Sequence, residues 1–135
     1  MKRAYGLMAL VAALLVGAPA FAHHATQAEF DQNNVKTITG VMTRVMWDNP
    51  HVNWHIDVKN QDGSTTDWTI VAAAPGQFRS IGLSGRDFFK VGETYTASIA
   101  LARNGSPRGH ILTFITPDNK TLKIWSGNFD DPLGK

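Results

Sequence analysis

The chain has no cysteine among its 135 residues. That excludes a disulfide framework, a thiol nucleophile, thiolate metal ligation and lipid attachment through an N-terminal Cys. It also lacks a hydrophobic run of the roughly 20 residues that a membrane-spanning helix needs. The uninterrupted apolar stretch, residues 7–16, is well short of that length. Long basic runs are missing, and so are a glycine-rich phosphate loop, a strand-to-helix nucleophile elbow and a two-histidine helix motif. An enzyme therefore ranks below a binding module, although Glu29, Asp48 and Asp57 are carboxylates on which an unrecognised acid–base pair could draw.

What is present begins with export. Met1-Lys2-Arg3 puts positive charge ahead of the apolar stretch, and Ala20-Phe21-Ala22 supplies small residues at a cleavage site. This is the pattern of a secretory signal peptide. Cleavage is expected after Ala22, with Ala18-Pro19-Ala20 as a second possible site. The expected organisation is a signal peptide over 1–22 and a single β-barrel-like domain over 23–135 with a flexible N-terminal leader. The expected location is the periplasm, with no membrane attachment after cleavage. Losing Lys2 and Arg3 reduces the 13 basic side chains to 11, which balance the 11 acidic ones. A chain of zero net charge lacks the electrostatic footprint of a nucleic-acid binder. The 113 residues left suit one domain that buries its own core.

The strand signals are alternation and β-branching. Residues 37–47 read as a long first strand with Val41, Thr43, Val45 and Trp47 on one side, and Asp48-Asn49-Pro50 reverses the chain. In the second strand Val52, Trp54, Ile56 and Val58 alternate with His51, Asn53, His55 and Asp57, giving one core face and one wet or ligand-facing side. Asp62-Gly63 turns the chain into a third strand, residues 68–71, with Trp68 and Ile70 on a common side. From 75 to 90 the period is lost, predicting a short helix and an ordered loop. Three further strands are expected over 95–102, 110–116 and 121–125, separated by Asn104-Gly105 and Pro117-Asp118-Asn119. Three strands, a helical insert and three strands suit an all-β fold, a small OB-like Greek-key barrel or half-barrel, better than a sandwich. An open roll closed by the last hairpin is the alternative.

His23-His24 after the signal, Glu29-Phe30-Asp31, Thr39-Gly40-Val41 leading into Trp47-Asp48-Asn49-Pro50-His51, the Gly92-Glu93 turn, the Asn104-Gly105-Ser106-Pro107-Arg108 hairpin and the closing Asp118-Asn119-Lys120-Thr121-Leu122 form a recurring set. In these features the chain resembles domain of unknown function family 6152, small exported bacterial proteins. It departs slightly, with Asp118-Asn119-Lys120 where members often carry Asp-Gly-Arg. The resemblance implies export and a β-fold and brings no activity with it.

Candidate sites follow from the expected fold. An OB-like barrel binds ligands on the face of strands two and three and on the loops joining strands one to two and four to five. The first of those loops carries Trp47, Asn49 and His51, and the second carries Arg103, Arg108 and His110. These residues suit a small polar or anionic ligand, or a partner protein in the periplasm. The plainer reading is turn chemistry beside solvated arginines. His51 and His55 would share one ion on a helix, but on a strand they stand on the order of 13 Å apart, so at most one joins any site. His23 and His24 differ, because cleavage would leave a free amine beside two imidazoles, good ligands for Cu(II), with Zn less favoured. His51 or His110 would supply a third imidazole. The alternative is a flexible terminus whose histidines happen to be adjacent. Trp54 and Trp68 read as core residues rather than as a ligand platform.

Overall fold

The computed structural model describes residues 28–83 and 88–122. Among these residues six strands and one complete helix follow in order: β1 (Phe30–Trp47), β2 (Val52–Lys59), β3 (Thr65–Val71), α1 (Pro75–Ser80), β4 (Thr94–Ala102), β5 (Arg108–Ile115) and β6 (Thr121–Leu122). The sheet order is β3-β2-β1-β4-β5-β6, with β3 also pairing with β5. That last pairing is parallel and short, joining Thr69, Ile70 and Val71 to Arg108, Gly109 and His110. It closes the first five strands into a ring, and the helix follows the third strand. This is the all-β, OB-like plan read from the sequence. The last strand is shorter than expected over the described residues, since 123–125 lie outside them.

β1 departs from expectation in two ways. It begins at Phe30 rather than 37, because Phe30 and Asp31 already pair with Ala102 and Leu101 of β4, and the polar stretch that reads as a preceding loop is an irregularity within the strand. Asp31 Oδ1 accepts the Asn33 amide N–H at 3.1 Å, a local side-chain bond that competes with the ladder there. Second, Val41 and Thr43 are exposed, while Ile38 and Met42 point inward. A shift in register between Met42 and Arg44 then moves the inward positions to Val45 and Trp47. One inserted residue changes which parity faces the core.

β2 follows the alternation as expected: Val52, Trp54 and Ile56 are fully buried and Val58 packs against them. Trp54 stacks on Phe114 (4.4 Å between centroids), and Phe114 stacks on Tyr95 (5.0 Å). The helix opens on Pro75, whose missing N–H costs nothing at that position, and Gln77 Oε1 accepts the Ala74 N–H at 3.1 Å. Its Phe78 reaches into the core to meet Trp47, Trp54 and Phe89. Between the site residues Arg108 and His110, Gly109 faces inward: a Cβ there would lie 2.6 Å from Ile99 Cδ1. Glycine lets β5 lie directly on β4 at that point.

Candidate functional site

Ladder partners on adjacent strands share a face, so the registers place side chains in rows across the outside of the ring. One row runs Arg44, His55, Thr69, Arg108 through β1, β2, β3 and β5. The next runs Met46, Asn53, Val71, His110 and Ala100. The first row is polar, as the alternation in β2 leads one to expect, whereas the second is buried from Val71 through His110 to Ala100.

His51 stands just ahead of β2, where Val52 and the end of β3 bind each other through Val52 N–H to Ala73 O (3.0 Å) and Ala72 N–H to Val52 O (2.8 Å). Its Nδ1 lies 3.1 Å from Ala72 O. A carbonyl only accepts, so Nδ1 carries a proton, and in the neutral ring the lone pair is on Nε2. Asn53 Nδ2 donates to the His51 carbonyl at 3.2 Å and steadies the same turn.

His110, 59 residues later, is fully buried between Val71 and Ala100 in its row. Its ring lies 5.7 Å from that of Phe30. Phe30, Val71, Ala100 and Ala102 form a small apolar cluster separate from the main core. Burial pushes the His110 pKa down to about 4, and the positive charge that the neighbouring His51 can carry adds to the effect. The imidazole is neutral at pH 7.

The two arginines are drawn elsewhere. Arg108 Nε sits 3.0 Å from Glu29 Oε1, Arg103 Nη1 sits 3.7 Å from Asp31 Oδ2, and the Arg103 N–H donates to Glu29 O at 2.9 Å. The start of β1 is thus fastened to the β4–β5 loop and to β5. His55 takes no part: its Nδ1 is 3.1 Å from Asp67 and its Nε2 is 3.1 Å from Arg44 Nη2, a polar chain across three strands. It is less exposed than an ordinary outward-facing strand position, with 12% of its side chain accessible. Trp47 turns inward against Phe78 (5.6 Å) and Phe89 (6.1 Å) rather than toward the loops. Asn49 is exposed in the turn, joined to Pro50 by a cis peptide bond.

Of the residues singled out from the sequence, the fold places His51 near enough to His110 for its charge to act there. It sets Arg103 and Arg108 against Asp31 and Glu29, and puts Trp47 in the core. Among the described residues no three His, Asp or Glu side chains stand together as a metal-ligand set, and His23 and His24 lie outside the described residues. Glu29 and Phe30 stand in the sequence as a carboxylate and as part of the Glu29-Phe30-Asp31 motif, but nothing local in the sequence ties them to Arg108 and His110.

The architecture and the site together define a small ring-forming β-domain in which a half-buried His51 neighbours a fully buried His110. The chain belongs to the family of unknown function DUF6152, whose model matches residues 11–111. The match takes in both histidines of the pair and ends before the closing segment. No curated protein and no solved structure gives a significant match.

Proposed function

We propose that the protein is exported to the periplasm, loses residues 1–22, and acts there as a binding or accessory module for a late transition-metal ion, Cu(II) ahead of Zn. His51 Nε2, His110 and the new amino terminus with His23 and His24 supply the ligands. The observation that carries this reading is where β1 starts: the Phe30 ring lies on His110 and the Glu29 carboxylate on Arg108. From Glu29 back to His23 is six residues, a reach of at most about 20 Å. Such a short tether holds a terminal amine and two imidazoles at high effective concentration near the pair.

The chemistry supports the same reading. Nitrogen ligands with no thiolate suit Cu(II). The Ala72 carbonyl fixes the His51 tautomer as an outer-shell acceptor does in metal sites, and burial keeps His110 in the neutral form that binds metal. Metal analysis of processed protein dialysed against Cu(II) and then against glycine tests this. One copper per chain is expected, and none retained would exclude the site.

A further inference from the structure

A cavity stands apart from the two histidines. It opens at one end of the ring, beside the β4–β5 loop, with a volume of about 310 Å³. Trp68 and Leu101 border it; both point inward but are only partly buried where the core gives out. Its polar rim comprises Asp31, Asn34, Arg103 and Ser106.

We propose that this cavity binds one ring of a neutral saccharide. The volume is at the small end of the usual ligand-pocket range of about 300–1,000 Å³, which suits a single sugar ring rather than a chain. Asp31 and Arg103 pair at 3.7 Å, so the two charges on the rim cancel and a net charge on the ligand gains little. The pair still offers carboxylate acceptors and guanidinium donors in one place, as vicinal hydroxyls require. The Ser106 hydroxyl donates to Asn104 Oδ1 at 2.7 Å, so its lone pairs remain available to a ligand hydroxyl. Indole and leucine provide an apolar wall for the C–H face of the sugar. Lys36 Nζ lies 4.9 Å from the Trp68 ring centroid and braces the indole. This site does not depend on the metal reading.

The test is an amide-shift titration of ¹⁵N-labelled processed protein, in chelator, with glucose, glucuronate and glucosamine. Saturable shifts are expected for glucose at the Trp68 indole N–H and at the Gly105 and Ser106 amides, with the two charged sugars binding no more tightly than glucose because the rim pair carries no net charge. Trp68→Ala and Asn34→Ala should each weaken glucose about tenfold, the scale of one lost good contact. Asp31→Asn removes the carboxylate beside Arg103 and so makes the rim more positive, which should move the preference toward glucuronate. If Trp68→Ala fails to fold, the variants at exposed Asn34 and half-buried Asp31 decide. Shifts that do not saturate, that fall elsewhere, that are unchanged in Asn34→Ala, or that leave selectivity unchanged in Asp31→Asn would overturn the proposal.

Discussion

Trp54 and Asn53 are neighbours in sequence on opposite faces of β2, and their environments predict different costs. Trp54→Ala removes a buried indole stacked on Phe114 and should destabilise by about 3–5 kcal/mol. Asn53→Ala breaks one half-buried bond to the His51 carbonyl and should cost about 1 kcal/mol in urea denaturation. Equal losses would show the facing to be wrong. His110 predicts a pH dependence. Its native pKa of about 4 lies below the ordinary 6.5 of the unfolded chain. Between those values the unfolded state takes a proton that the native state refuses. Stability of metal-free protein therefore falls as pH drops through that window, by about 3 kcal/mol in total. The exposed Asp62 and Asp118 carboxylates, held low by their hydrogen bonds, add to the loss only toward the acid end of that window. Urea midpoints across this range should flatten in His110→Phe; an unchanged slope would contradict the assignment. At this scale the sequence made the inward residues of β2 legible, because alternation is local. It could not show that His110 would be buried, since that depends on Phe30 arriving from 80 residues away.

Elements carry the second set of consequences. Alternation gave β2 and β3 their faces directly, whereas β1 misleads because of the register shift after Met42. A bulge is fixed by pairing with another strand and leaves no mark in local hydropathy. The β4–β5 contact is equally non-local: Gly109 reads as an unremarkable turn residue, yet Ile99 occupies the space of its missing side chain. Gly109→Ala should destabilise by about 1–3 kcal/mol as an overpacked site and lower the thermal midpoint accordingly. The fastening of β1 has a functional consequence. Glu29→Gln keeps the shape of the side chain but removes its charge from Arg108. If that contact positions the terminus, Cu(II) affinity should fall severalfold, with stability changed by no more than about 1 kcal/mol, as for an exposed ion pair. Unchanged affinity in a competition titration would show that the backbone bond from Arg103 and the Phe30 contact suffice.

On the scale of the whole molecule, a ring closed by a three-residue parallel seam does two things at once. It buries one continuous aromatic core, and it pairs β3 with β5 so that Phe30, at the start of β1, packs against Val71 and His110 together. The count of strands and the helical insert were legible from turn residues and periodicity. Which loops would meet was only half legible: the loops after β1 and after β4 were both expected at the site, but only His51 and His110 come together, and the arginines turn to carboxylates of β1. The central claim is that cleavage creates a metal site from a terminus and two distant histidines. Its most direct test compares Cu(II) affinity, by competition, between processed protein beginning at His23 and the same protein carrying one extra residue ahead of it. The extension displaces the amine and leaves every other ligand in place. A loss of about tenfold or more is predicted, the scale of one removed ligand interaction; identical affinities would contradict the claim.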